Sequence, residues 1–413
     1  MTLPGLLEAL AATPSFARIA ELGAAPGGSA TVIAPSALQP FVTASLADGP
    51  LLVVTATGRE AEDLAAAIGA LRPGLSIAVF PSWETLPHER LSPSLDTVGR
   101  RLAVLHRLAH PDADDPFARP IDVLVASVRA VLQPFAAGLG DVEPVRLRTD
   151  SVADLGALVE RLVLLGYERV DLVERRGQVA VRGGILDVFP PTAEHPLRVE
   201  FWGDTVEEIR SFAVIDQRSL ELAEDGVLAP PVRELLLTDA VRSRAATLAA
   251  SVPAVAEMCA KLAEGIAVEG MEALIPVLGD GMSSLLDAMS GRIVVLDPER
   301  VRTRAVDLVR TAEEFLAASW HNAAAGNATP IDLSGSSYLE LDAVRTAAAV
   351  AHRQWWEVTP LAVDDDLADG PVVDLGGTAL ESYRGDAARA IHAPLHVAAA
   401  HAAGCGPDRR HAR

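Results

Sequence analysis

Apolar positions set two different rhythms along this chain. Leu3, Leu6, Leu7 and Leu10 recur at helical spacing, which predicts a helix over residues 1–22. From about residue 30 to 130, short β-branched runs alternate with helical stretches. Ala30–Ala34, Leu51–Thr55, Ser76–Phe80 and Ile121–Ser127 read as strands bounded by Gly, Pro or Ser, with a helix at Thr57–Gly69 between two of them. Strand–helix alternation of this kind predicts a parallel sheet flanked by helices.

The rhythm changes near residue 140. A helix is expected at Val152–Gly166, and Gln178–Ile215 then loses helical periodicity and reads as an antiparallel meander. Gly183-Gly184 marks a bulge or bend, Pro190–Pro196 a loop, Gly203-Asp204 a tight turn and Val206–Ile215 the next strand. Within Leu197–Trp202, strict alternation puts Leu197, Val199 and Phe201 on a core face. Arg198, Glu200 and Trp202 take the other face, and Arg182 points outward by the same logic from Val179 and Val181. An outward Arg/Arg/Trp set has the composition of a binding hot spot. The plainer reading is that Trp202 covers the hairpin and the arginines pair with Glu200 or Asp187. Beyond residue 236 the chain is helical to about 290. Then come a strand at Arg292–Leu296, a helix through Ala317, a polar loop at His321–Gly335 and a helix at Leu341–Trp356. Asp364–Asp369 is linker-like, and Pro371–Leu375 begins a new strand.

Composition narrows the function classes. The chain has 413 residues, half of them apolar, enough for two to four domains. Its net charge of −21 disfavours non-specific nucleic-acid binding. Two distant cysteines, Cys259 and Cys405, make no disulfide framework or zinc cluster and fit a reducing cytoplasm. No membrane span and no signal peptide is expected. All the basic residues are arginine except Lys261, the habit of a high-GC genome.

A phosphate-binding loop needs glycines, a lysine and a Ser/Thr. After the first strand, Pro35-Ser36-Ala37-Leu38-Gln39-Pro40 offers no glycine, no lysine and two prolines. The strand ending in Asp297 resembles a magnesium-supporting acid. Without a phosphate loop, however, that acid has nothing to coordinate, and a helix cap at Asp297 with Pro298 in the first helical position is the favoured reading. Ten histidines make no metal spacing, His106 and His110 having no third ligand, and no catalytic grouping stands out.

Several long motifs carry a resemblance. The run Pro81-Ser82-Trp83-Glu84-Thr85-Leu86-Pro87-His88-Glu89-Arg90, followed by Ser92-Pro93, Asp96, Arg100-Arg101 and Leu102, resembles the signature of the transcription-repair coupling factors, the Mfd family. Val181–Pro190 and Arg198-Val199-Glu200-Phe201 resemble the region that family shares with the excision-repair helicase UvrB, and Phe212, Asp216, Gln217, Arg218 and Ser219 continue the pattern. The likeness covers about residues 1–385 and fades after Tyr383-Arg384-Gly385-Asp386. The arginine- and alanine-rich style is similar to that of actinobacterial members.

The resemblance implies an α/β fold: a degenerate P-loop, RecA-like parallel sheet with a small inserted α+β domain. It places the first half at 1–140, a UvrA-binding insertion at 141–230, the second half at 231–365, and a linker with an incomplete α/β unit and an atypical tail at 366–413. It implies a non-hydrolysing nucleotide site around Pro35, Ser36, Ala37, Gln39 and Asp297, no catalytic residue, and UvrA contacts at Arg182, Arg198 and Trp202, the last usually phenylalanine in the family. The family's RNA-polymerase-binding domain and its ATP- and magnesium-dependent duplex-DNA motor fall beyond this chain, as does the C-terminal domain that this region packs against. The expected role is therefore UvrA recruitment in transcription-coupled excision repair, in the cytoplasm and without a cofactor. The alternatives are an active UvrB-like DNA-opening ATPase, which would need a P-loop and a tyrosine-rich hairpin where Tyr167, Tyr338 and Tyr383 are scattered, or an autoregulatory clamp on the motor. The tail at Ile391–Arg413, with no amphipathic period, is expected to be loosely attached.

Overall fold

The computed structural model describes residues 4–25, 27–87, 89, 91–325, 335, 337–363, 368 and 370–376. The linker at 364–369 falls almost wholly outside these residues. The 391–413 tail and the Tyr383–Asp386 motif lie entirely outside them.

Seventeen strands are described. They are β1 (Ser29–Ile33), β2 (Leu51–Thr55), β3 (Ile77–Phe80), β4 (Val123–Ser127), β5 (Phe135–Ala136) and β6 (Val145–Leu147), then β7 (Glu168–Arg169), β8 (Gln178–Arg182), β9 (Ile185–Val188), β10 (Leu197–Trp202), β11 (Thr205–Phe212), β12 (Ser219–Leu222), β13 (Val227–Ala229), β14 (Met282–Ser283), β15 (Arg292–Leu296), β16 (Trp355–Thr359) and β17 (Val372–Asp374). The main sheet is seven-stranded and parallel, in the order β17-β1-β16-β15-β2-β4-β3. Its central strands are buried on both faces, as parallel strands sandwiched by helices must be. Leu52, Leu124 and Ile293 enter one core, and Val53, Val125 and Val294 enter the other.

Between β4 and β15 the chain leaves this sheet and returns. The excursion carries a second, six-stranded sheet in the order β12-β11-β10-β9-β8-β7. Its root is closed by two short antiparallel pairs, β6 with β13 and, nearer the main sheet, β5 with β14. The second sheet meets the helix Leu95–Ala109 through the loop after β9. A Cβ on Gly99 would stand 2.1 Å from Pro191 Cγ, so only glycine admits that approach.

Pro81, Trp83 and Glu84 of the Pro81–Arg90 run make structural contacts. Arg101, on the helix Leu95–Ala109, is 0 % exposed and donates from Nε to Glu234 Oε1 at 2.6 Å. Trp83 Nε1 donates to the same oxygen at 2.8 Å, and Arg101 Nη1 donates to the Pro81 carbonyl oxygen at 2.8 Å. The guanidinium lies 4.4 Å from the Phe80 ring centroid. Glu84 accepts from Ser94 and Thr97, and these hydrogen bonds hold its pKa below the ordinary value against the opposing effect of burial.

Several local expectations need correction. The N-terminal helix is two, Pro4–Ala11 and Pro14–Ala24, divided at Thr13, whose hydroxyl donates to the Leu10 carbonyl oxygen, with Pro14 as the first residue of the second helix. Val152–Gly166 contracts to a helix at Leu155–Leu164, and Val206–Ile215 to β11. Gly183-Gly184 is a two-residue hairpin turn rather than a bulge, because Arg182 pairs with Ile185 across it. The helix Pro298–Ala325 runs through Ala317 and into the first third of the expected loop, since its alanine-rich end favours helix and no proline stops it before Ala325. The helix expected at Leu341–Trp356 ends at Val350, with His352 at φ +54, and Trp355–Thr359 is instead a strand inside the main sheet. Its aromatic and β-branched residues suit that place. Among the described residues no helix is long and apolar enough to cross a membrane.

Glu234→Ala would strand the Arg101 charge in a dry site. It should cost about 3–5 kcal/mol of stability, against less than about 0.5 kcal/mol for Glu21→Ala in the exposed Arg18–Glu21 pair. Urea denaturation of the two variants checks the contrast.

Candidate interaction surface

The second sheet has two unlike faces. One is a core containing Val179, Leu186, Val188, Val199, Val206 and Ile209, with Leu197 and Phe201 partly buried against it. The other carries Arg182, Asp187, Arg198, Glu200, Trp202 and Arg210. Pairing fixes their neighbours: Asp187 lies opposite Ala180 on one side and Arg198 on the other, and Arg198 lies opposite Arg210. Two tight turns end this face, at Gly183 and Gly203, both at φ +61. Gly184 brings the hairpins together, its carbonyl oxygen accepting from Phe201 N at 2.8 Å. The Trp202 side chain is thereby held at the rim and is 82 % exposed.

Asp187 organises the face. It is 1 % exposed, and its carboxylate accepts three charge-assisted hydrogen bonds: from Arg198 Nε at 2.7 Å, Arg198 Nη2 at 2.9 Å and Arg182 Nη2 at 2.7 Å. Arg198 also donates from Nη1 to the Gln217 carbonyl oxygen at 3.2 Å and stacks 4.6 Å from the Phe212 ring centroid. Hydrogen bonding to Asp187 raises the Arg198 pKa above its ordinary value. Gln217 turns at φ +60 to present that carbonyl.

The three residues read from the sequence as one outward set therefore divide. Trp202 stands open and Arg182 is half exposed. The Arg198 side chain is 15 % exposed and committed to Asp187, Gln217 and Phe212. Pairing with Asp187, the plainer of the two readings, holds for both arginines, but only Arg198 is largely buried by it. Phe212 and Gln217 enter the sequence pattern only as parts of a motif. The signal that could have assigned them was the unpaired need of an arginine and an aspartate facing each other across adjacent strands.

The carboxyl end of the main sheet carries the residues that follow β1 and β15. After β1, Pro35 leads into a 3-10 turn at Ser36–Leu38 that includes the exposed Ala37, and Gln39 opens a short helix. A cavity of about 270 Å³ there is lined in part by Ser36, Gln39, Pro40, Glu60, Asp63, Asp297 and Arg300. Arg300 is held by Glu60 at 2.6 Å and faces Asp297 at 3.5 Å, while Gln39 Nε2 donates to Asp297 Oδ1 at 2.9 Å. Asp297 does precede a helix opened by Pro298, but at φ +51, with its carboxylate engaged by Gln39 and Arg300. Of the two noted histidines, His106 contacts the Gly140 carbonyl oxygen and Arg146, and His110 contacts Asp141.

Residues 145–232 match the family model described as the UvrB interaction domain. The chain is 49% identical over 402 residues, 93% of its length, to the transcription-repair-coupling factor of Mycobacterium bovis, covering 32% of that protein. It is 32% identical to the Bacillus subtilis transcription-repair-coupling factor over 53% of this chain and 17% of that protein. It is also 32% identical to the UvrABC system protein B of Chloroflexus aggregans over 39% of this chain and 25% of that protein. The chain thus spans about a third of the length of the mycobacterial relative and less of the others.

Two outcomes are expected of this geometry. Arg198→Ala should lower stability by about 2 kcal/mol or more, because it removes two charge-assisted bonds from a buried carboxylate. Arg182→Ala, at a half-exposed end, should cost less than about 1 kcal/mol; thermal unfolding compares them. Millimolar ATP should leave the melting temperature unchanged, where saturation at a hundredfold excess over Kd would add about 2.7 kcal/mol.

Proposed function

We propose that this chain, a homologue of the transcription-repair-coupling factors carrying a UvrB interaction domain, recruits the excision-repair protein UvrA through the corner formed by Arg182 and Trp202. The observation that carries the reading is Trp202 itself. A tryptophan 82 % exposed at the end of a rigid hairpin, beside a half-exposed arginine, lies within the matched residues 145–232. Aromatic and arginine side chains of this kind dominate binding energy at protein interfaces.

Each side chain has a separate task. Trp202 offers a flat apolar surface whose position is set by the Gly203 turn. Arg182 has one nitrogen on Asp187 and leaves the rest of its fork for a carboxylate on the partner. Arg198 is a positioning residue. By fixing the Asp187 carboxylate with two hydrogen bonds, it sets the direction in which Asp187 holds the Arg182 guanidinium, so less rotamer freedom is lost on docking.

The same reading makes the region around Pro35, Gln39, Asp297 and Arg300 a former nucleotide site with no hydrolytic role. It is supported by the carboxylates that line the cavity, which repel a triphosphate. Polymerase contact, duplex-DNA translocation and ATP hydrolysis belong, on this proposal, to the parts of the full-length relatives that this chain does not span.

Trp202→Ala and Arg182→Ala should each weaken UvrA binding at least about tenfold, or about 1.4 kcal/mol, with the melting temperature little changed. The Trp202 effect should be insensitive to salt, and the Arg182 effect should shrink as ionic strength rises. Calorimetric titration against UvrA measures both. Two folded variants that bind as tightly as the parent would move the recruitment surface elsewhere.

A further inference from the structure

The opposite end of the second sheet carries chemistry that the Trp202 corner does not use. β12 is the terminal strand of that sheet, and all four of its residues are exposed. Its inner side is committed: Glu221 N donates to Ser211 Oγ at 3.2 Å and Ala223 N to the Ile209 carbonyl oxygen at 2.9 Å, both toward β11. Successive N–H groups of a strand point to opposite sides, so the Leu222 N–H between them points away from the sheet. A strand edge with free outward groups is a template for another strand.

Beside this edge runs a groove of about 740 Å³. Phe117, Leu197, Leu222 and Leu228 supply apolar walls, Glu221, Glu224 and Asp225 are its only charged lining, and no basic residue borders it. These three carboxylates form no ion pair among the described residues, whereas Asp187 and Glu208 on the same sheet and Asp216 in the loop before β12 are each paired with arginine. Leu222 is 55 % exposed and Leu220 42 %. The pairing of β12 with β11 is irregular toward Phe212, which confines a regular outer edge to about Leu220–Ala223.

We propose that this edge docks an extended, basic segment of a partner protein, added to the sheet as a seventh strand beside β12. Its backbone pairs with the outward groups around Leu222. Alternate apolar side chains enter the groove, and arginines or lysines meet Glu221, Glu224 and Asp225. Main-chain pairing supplies the docking mode, and the uncompensated acids select the charge. Leu197 in the groove and Trp202 stand at opposite ends of β10, so the two surfaces are separate.

The test uses the whole chain and two short synthetic peptides, one alternating arginine with valine and one alternating glutamate with valine. The arginine peptide should bind by fluorescence anisotropy, and the glutamate peptide should not. Amide exchange should slow at residues 220–223. Leu222→Pro removes the outward N–H together with part of one apolar wall and keeps the inner bonds of Glu221 and Ala223; it should weaken binding at least tenfold, and more than Leu222→Ala, which trims the same wall but keeps the N–H. Glu221→Lys/Glu224→Lys/Asp225→Lys should reverse the peptide preference, and this variant decides if Leu222→Pro lowers the melting temperature. General attraction to a chain of net charge −21 would survive these substitutions and protect no amide of β12. That result, or equal binding of both peptides, overturns the proposal.

Discussion

The ion pair between Arg101 and Glu234 is the constraint on which the rest of the architecture turns. Glu234 lies just past the second sheet and Arg101 on a helix of the main sheet, so a buried contact ties the chain leaving the second sheet back to the main sheet. Two charges without solvent are costly, and they persist only if their remaining groups find partners. Trp83, the Pro81 carbonyl and the Phe80 ring provide most of these, although Arg101 Nη2 and Glu234 Oε2 have none among the described residues. A motif that read as a family signature is therefore a joint. Its tryptophan and arginine are needed because a single carboxylate oxygen is shared between them.

The surface face of the second sheet repeats this logic on a smaller scale. Asp187 is as buried as a core valine, yet it lies under the exposed corner. The energy that holds Arg198 on it is spent on shape: the guanidinium is fixed, the neighbouring Arg182 is aimed, and Trp202 is carried at the rim. On the proposed reading, stability and recognition fall on different members of one arginine–aromatic set, which is why such a set is not read as three equivalent contacts.

Much of this was legible in the sequence. The four strands of the first half, β15 and the face assignment of β10 follow from apolar periodicity, because burial on both faces or on alternate residues leaves a direct trace. The missing phosphate loop was equally plain, since its chemistry is local. What escaped was whatever depended on partners distant in sequence. Trp355–Thr359 carries helical spacing from the residues before it, and only its place between β1 and β15 makes it a strand. Arg198 alternates outward correctly, but alternation says nothing of Asp187 closing over it from the neighbouring strand. The long helix reaches Ala325 because alanine content favours helix more strongly than polar composition disfavours it.

The strand order of the main sheet has a consequence in time. β1 has no neighbour among the strands that immediately follow it; it is flanked by β16 and β17, which arrive more than 300 residues later. At a synthesis rate of roughly 5–20 residues per second, the first strand waits tens of seconds on the ribosome with both its edges unpaired. The cluster β2-β4-β3 can assemble meanwhile, and the excursion can close on its own short strand pairs. β15 and β16 then enter the gap between the two parts as a final wedge, so that the sheet is completed from its centre and the first strand made is among the last to be secured.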